Sequence, residues 1–221
     1  AALEPLVAGT TGKRDAFVAA ARRVVAARYP STDSPQYTAV IDDKAYRRLR
    51  ATLDDAHAKG AEVVPLVPDA TANDVTRKLP PHLVLGATDD MLIMRDEIFG
   101  PLLPLVPYDR LEDAISFVNA RPHPLALYWF DHDARRVDEA LHRLPAGGVT
   151  VNDTLLHITQ ESLPFGGVGA SGMGHYHGQW GFDTFSKLKP VFRQSRLNGM
   201  SLFLPPYRPL MRRLLALMKR Y

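Results

Sequence analysis

Residues Leu163–Gly178 hold most of the features that could do chemistry, with six glycines and a proline among sixteen residues. Gly167-Val-Gly-Ala-Ser-Gly172 fits G-x-G-x-x-G, a pattern that lets a backbone approach a pyrophosphate. That chemistry needs a strand before the glycines, a long helix after them and an acid about 20 residues on. Ser162-Leu-Pro-Phe-Gly precedes them, and Pro190, Val191 and Phe192 stand where the acid should be. The stretch therefore reads as a structural loop, of a length that inside compact domains is often functional. His175 and His177, with His157 upstream, invite a metal site. There is no H-E-x-x-H spacing and no carboxylate cluster to complete a ligand set. Ser171 lacks the strand-to-helix elbow of a serine nucleophile. Asp96 and Glu97 are adjacent, so on a strand they would face opposite ways and make a poor acid/base pair. From pattern alone no catalytic residue and no metal ligand is assigned.

The elements that must position these residues follow from periodicity. Lys13–Arg28 reads as a helix with Ala16, Phe17, Ala20, Val24 and Ala27 on one face, stopped by Tyr29-Pro30. A second helix spans about Asp43 to Lys59, with Ala45, Leu49, Leu53 and Ala56 as its stripe. Asp42 or Asp43 can cap it, and Gly60 lies just past its end. Strands are expected at Glu62–Val67, His82–Gly86, Leu102–Val106, Leu125–Phe130 and Val149–Asn152, with Pro68–Pro81 as loop or edge structure. Helices are expected at Leu111–Ala120, with Asp109 as a possible cap, and at Ala134–Leu144. The β-α-β-α-β order predicts an α/β fold with a mostly parallel sheet and flanking helices. Ser186–Gln194 is a candidate edge strand because Pro190 removes a donor. Pro209–Tyr221 is a basic amphipathic helix, with Leu210, Leu214, Leu217 and Met218 apolar and Arg212, Arg213, Lys219 and Arg220 charged. Such a helix fits a membrane surface or a protein partner, and packing on protein is the commoner use of a short stripe.

The 221 residues suit one large domain or two small ones. Apolar residues are 46% and charged residues 23%, enough for a core and against wholesale disorder. A net charge of +3 is too small an excess to imply nucleic-acid binding without a local cluster. The absence of Cys excludes disulfides, thiolate metal sites and a thiol nucleophile within this sequence. No apolar run approaches the ~20 residues of a membrane span, and no secretory signal is visible. The expected location is cytoplasmic. The first residue is not Met, which suggests processing or a cut from something longer.

Two strings take the reading further. Met94-Arg-Asp-Glu-Ile-Phe-Gly-Pro101 resembles the E-I-F-G-P signature of the aldehyde dehydrogenase superfamily. Leu163-Pro-Phe-Gly-Gly-Val-Gly-Ala-Ser-Gly-Met-Gly174 resembles its C-terminal P-F-G-G-V-x-x-S-G-x-G signature, in the matching order and separation. Asn152-Asp153, His157-Ile-Thr159 and Tyr176-His-Gly178 resemble the class 3 branch, and the proline-rich basic tail is most similar to its coniferyl group. The resemblance runs from about Lys13 to the C-terminus but covers only the back half of a family member. It implies a catalytic domain at 13–185, an oligomerisation strand and basic tail at 186–221, and an unassigned segment at 1–12.

The resemblance also implies roles. Glu97 matches the glutamate that accepts from the nicotinamide-side ribose hydroxyls, and Phe99 the ring packed near the nicotinamide. Leu155, Ile158, Thr159, Phe165 and His177 match positions around a hydrophobic aldehyde pocket, with His177 on its rim. Asn152 and Ser171 read as loop-fixing residues. The cofactor implied is NAD or NADP in a full-length parent, with none expected to bind tightly to this chain. The expected partners are the aldehyde, the N-terminal half that supplies cysteine and nucleotide domain, and a second copy as a homodimer. This chain alone is expected to be inactive. The competing readings are a naturally short relative acting by dimerisation or partner binding, and a membrane-surface module using the tail.

Overall fold

A computed structural model describes residues 6–8, 11–200, 204–206 and 209–219. The chain divides into two compact units, Ala1–Phe185 and Ser186–Tyr221. In the first, β1 (Leu6–Ala8), β2 (Glu62–Pro65), β3 (His82–Leu85) and β4 (Leu102–Pro107) form a sheet in the order β1-β4-β3-β2. Both β1 and β3 run parallel to β4, whereas β2 is antiparallel to β3. A separate parallel pair joins β5 (Ala126–Trp129) to β6 (Gly148–Val151). The expected mostly parallel sheet is thus two groups of strands. Strand β1 falls in the segment left unassigned from sequence. It is three residues long and owes its identity to pairing with β4, in the register Leu6 to Leu105.

Two helices cover the larger sheet. α1 (Thr11–Arg28) lies on one face and α2 (Asp43–Ala58) on the other. Period-two alternation sorts the strand residues between them. Leu83, Leu85 and Leu105 pack toward α1, while Val84 and Leu102 pack toward α2. Burial on both faces explains why these strands read as continuous apolar runs. The face α1 buries is Phe17, Val18, Ala21 and Val25. That is one residue round from the expected stripe, and Val24 is exposed. An alanine-rich helix offers two near-equivalent stripes, and the set with more branched and aromatic area wins. In α2 the buried set is Tyr46, Leu49, Thr52 and Ala56. Asp42, not Asp43, is its N-cap, accepting from Ala45 N at 2.7 Å.

α3 (Leu92–Arg95) is a single turn not anticipated from sequence. α4 (Leu111–Asn119) and α5 (Ala134–Arg143) follow expectation, and Asp133 caps α5 by accepting from Arg135 N and Arg136 N. The N-cap position of α4 is occupied by Arg110, with no side-chain cap, rather than by Asp109. Beyond the glycine-rich loop, α6 (Gly178–Thr184) closes the first unit.

In the second unit the expected strand at Ser186–Gln194 does not form, and residues 187–195 carry no regular structure. A strand exists only with a ladder partner, and these residues have none among the described residues. α7 (Pro209–Met218) is helical as expected, while Arg220 and Tyr221 lie outside the described residues. Among the described residues no helix is long and apolar enough to cross a membrane.

Candidate functional site

The turn that carries Glu97 and Phe99 is anchored from α2. Arg48 donates from Nη1 to Glu97 O at 2.8 Å and from Nη2 to Ile98 O at 2.7 Å. Ile98 is buried, and Gly100 sits so close to Leu49 that a Cβ there would run into both Leu49 Cδ atoms. Leu102 N donates to Gly100 O, and His82 N to Pro101 O, which ties the turn to β3 and β4. At the other end, Asp55 Oδ2 accepts from Leu92 N at 2.7 Å. This substitutes for the side-chain cap that Met91 cannot supply to α3.

Every bond that holds the turn is to backbone, so its two signature side chains are left free. Glu97 is exposed, and its carboxylate has no hydrogen-bond or ion-pair partner among the described residues. Phe99 is 78% exposed at φ +43, an outlier for a bulky residue. Strain of this kind, held in place by surrounding structure, clusters at functional sites.

The second group of candidates surrounds the glycine-rich loop. Phe165 and Tyr176 exchange two backbone hydrogen bonds of 2.9 Å each, and their rings meet edge-on at 5.4 Å. His177 stacks on Phe165 with ring centroids 5.5 Å apart and planes 17° apart. It adopts φ +91, its Nδ1 is buried without a partner among the described residues, and its carbonyl accepts from Gly181 N in α6. From the other side His157 lies 6.2 Å from Phe165. His157 is buried, and its Nδ1 is 2.7 Å from Thr150 Oγ1 on β6. Burial holds its pKa below the ordinary imidazole range. Its Nε2 has no partner among the described residues.

His157 belongs to the short turn that carries the remaining candidates. Ile158 N donates to Leu155 O, and Thr159 Oγ1 donates to Leu156 O at 3.0 Å. Neither Leu155 nor Ile158 is a core residue: Leu155 is exposed at φ +64, and Ile158 is half-buried. Asn152 fixes the start of this turn. Its Oδ1 accepts from Asp131 N and its Nδ2 donates to Asp131 O, each at 2.9 Å. Ser171 closes the glycine loop on itself, accepting from Val168 N and donating to Val168 O.

The structure thus brings Phe165 and His177 into one aromatic group, with Leu155, Ile158 and Thr159 on the turn that His157 braces against it. Among the described residues no hydrogen bond or ring contact joins this group to Glu97 or Phe99. A cavity of about 460 Å³ opens elsewhere, between Pro30–Asp33 and Val67–Asp74. Three or more metal-ligating side chains gather nowhere among the described residues. Sequence reasoning missed Arg48 and the bracing role of His157. Arg48 acts 49 residues from its carbonyl partner Glu97, and no local pattern marks it. The pair Thr150 and His157 is seven apart across a turn and becomes visible only once β6 is placed.

Comparison with known proteins bears on the family and the fold. A family model described as "Aldehyde dehydrogenase family" matches residues 13–191. A probable coniferyl aldehyde dehydrogenase of Pseudomonas aeruginosa is 52% identical over 192 residues, covering 86% of this chain and 40% of its own length. The coniferyl aldehyde dehydrogenase of a Pseudomonas sp. is 46% identical over 191 residues, covering 85% of this chain and 40% of its own. Among solved structures, Staphylococcus aureus AldH in its substrate-bound state matches with a TM-score of 0.81 at 36% identity, over 95% of this chain and 45% of that one. A Mycobacterium tuberculosis aldehyde dehydrogenase complexed with NAD+ matches with a TM-score of 0.72 at 25% identity, over 86% of this chain and 40% of that one. The chain spans about two-fifths of the length of the curated relatives it matches.

Proposed function

The chain belongs to the aldehyde dehydrogenase family, and on that basis we propose that it supplies the C-terminal part of an active site oxidising a hydrophobic or aromatic aldehyde to its acid. The balanced reaction takes aldehyde, water and NAD(P)+ to carboxylic acid, NAD(P)H and a proton. The dinucleotide, when bound, supplies the hydride acceptor. The sequence contains no Cys, so a thiol nucleophile would come from outside it, together with the nucleotide-binding domain.

The observation that carries the reading is the anchored turn. Arg48 fixes the backbone at Glu97 and Ile98, and the free Glu97 carboxylate can accept from two neighbouring hydroxyls at once. Phe99, aimed into solvent from a strained position, offers a face that limits where a flat ring can rest. These two residues would hold the nicotinamide side of the cofactor. Phe165 and His177, with Leu155, Ile158 and Thr159, would form the aldehyde wall, apolar with a few polar groups to orient the substrate. His177 serves as a rim residue. The coniferyl aldehyde dehydrogenases among the relatives support an aromatic aldehyde, and the stacked Phe165–His177 pair suits a flat one. The reading includes a homodimer, in which residues 186–194 gain from a second copy the ladder partner they lack here.

The test is Glu97→Gln in a full-length protein carrying this segment. NAD(P) affinity should weaken and the hydride-transfer burst should slow by about tenfold or more, as expected for one lost charge-assisted contact. Unchanged burst rate with unchanged cofactor affinity would remove Glu97 from the site.

A further inference from the structure

The sequence has four asparagines, Asn73, Asn119, Asn152 and Asn198, and their surroundings set different limits on their chemistry. Asn73 accepts at Oδ1 from Val75 N and Thr76 N, and its backbone pairs with Lys78 across a bridge. Asn119 ends α4, where its Nδ2 donates to Arg143 O. Asn152 is bonded at both ends of its amide to the backbone of Asp131. Asn198 touches only near neighbours. Its Nδ2 donates to Ser195 O at 2.9 Å, and its Oδ1 accepts from Met200 N at 3.1 Å. It is exposed and lies in irregular backbone of the second unit. Of the four, only Asn198 precedes a glycine, Gly199.

We propose that Asn198-Gly199 is a site of spontaneous covalent modification, at which the side-chain amide is lost through a cyclic imide and a carboxylate takes its place. In the first step Gly199 N attacks Asn198 Cγ. The N–Cγ bond forms, the Cγ–Nδ2 bond breaks, and Nδ2 leaves as ammonia with the proton that Gly199 N gives up. Water then opens the ring at either carbonyl. Opening at Cγ leaves aspartate. Opening at the main-chain carbonyl leaves isoaspartate, with the chain running through the former side chain. Neither step changes an oxidation state, and water is the co-reactant.

Three observations carry the site. First, attack needs an unhindered nitrogen on a backbone that can bend toward Cγ. Gly199 has no Cβ to crowd the approach, and its N–H makes no hydrogen bond among the described residues. Second, the bond from Met200 N draws the Asn198 side chain back over the residues that follow it. The same donor polarises the Cγ carbonyl and favours the charge that grows on Oδ1 during attack. Third, the surrounding charge favours an anionic product. Ser186–Tyr221 contains nine Lys and Arg and no Asp or Glu, with Arg196 two residues before Asn198. Cations nearby favour the ionised form of an acid, and the new carboxylate would be the first acid in that stretch. The site also lies outside residues 186–194, which are proposed to pair with a second copy.

The experiment is incubation of the purified full chain at physiological temperature and mildly alkaline pH, followed by digestion and mass spectrometry of the peptides. A zero-time digest subtracts conversion during handling. The peptide containing Asn198 should gain the mass of an NH-to-O exchange and resolve into two species, aspartate and isoaspartate. Peptides containing Asn119 and Asn152 should stay unchanged over the same period. In water enriched in heavy oxygen the product should carry the label. Gly199→Ile should slow conversion by about tenfold or more, because a β-branched side chain crowds the attacking nitrogen. A variant that merely loosened the fold would convert faster instead. Conversion of Asn198 no faster than that of Asn119 or Asn152 overturns the proposal, as does a Gly199→Ile chain that converts at the parent's rate or above it. So does a product that is aspartate alone, since direct hydrolysis of the amide forms no isoaspartate.

Discussion

Phe99 bears two costs at once. A bulky residue at positive φ is strained by about 1–3 kcal/mol, and leaving its ring in water forgoes about 2 kcal/mol of burial. Arg48 holds the turn against both, through two charge-assisted bonds to successive carbonyls. Arg48→Ala is therefore expected to destabilise the chain by about 2 kcal/mol and to raise amide exchange around Ile98–Leu102, measured by denaturation and hydrogen exchange. Arg48→Lys should recover less than half of the loss, because an ammonium cannot fork across two acceptors. Full recovery would mean that charge alone, rather than the planar fork, holds the turn. The string Glu97–Pro101 was legible in the sequence as a signature, and so was Ser171 as a loop-fixing residue. Arg48 was not, since its role is a contact between distant segments. The bracing role of His157 was hidden for the same reason: it depends on Thr150 being brought opposite it.

Elements were legible where a strong stripe or a capping residue marks them. α2, α5 and the buried strands came out within a residue or two, and the cap of α2 is Asp42, one of the two residues expected there. α1 was placed but turned by one residue, because alanines do not distinguish neighbouring faces. The edge strand at 186–194 failed for a deeper reason, since a strand is a pairing and these residues have no ladder partner among the described residues. α3 escaped because its cap comes from another element. Asp55 accepts from Leu92 N and pairs with Lys59 at 2.8 Å, and these contacts hold its pKa below the ordinary 3.8. A carboxylate depressed in the folded state lends stability above its unfolded pKa, and that stability is lost as pH falls through the folded value. The chain should therefore be more stable than Asp55→Asn at neutral pH, with the gap closing below about pH 4. Parallel denaturation curves across that range check this, and a gap that stays constant with pH would rule out the ionised form as the source.

At the scale of the molecule, the two signature strings in order and the missing cysteine were legible together, and the family match starts where the resemblance was placed, at residue 13, and ends at residue 191. The purified chain is expected to produce no NADH from aldehyde and NAD+, because neither a thiol nor a nucleotide domain is in its sequence. An absorbance assay at 340 nm, standard for NADH, decides it. Sustained aldehyde-dependent turnover would require a nucleophile other than cysteine.

The glycines of the loop, with Gly147 packed against it, have a consequence for descent. A methyl group at Gly147 would strike Gly166 O, at Gly166 it would strike Gly174 O, and at Gly167 it would strike Ser171 O. The space these residues leave open is filled by the chain's own backbone, with no ligand needed to explain it. A lineage that gave up the reaction and kept the fold would go on spelling the same string. The glycines therefore record ancestry and architecture. If the proposed role of Glu97 holds, the history of the activity would instead be read at that residue, whose carboxylate the described contacts leave free.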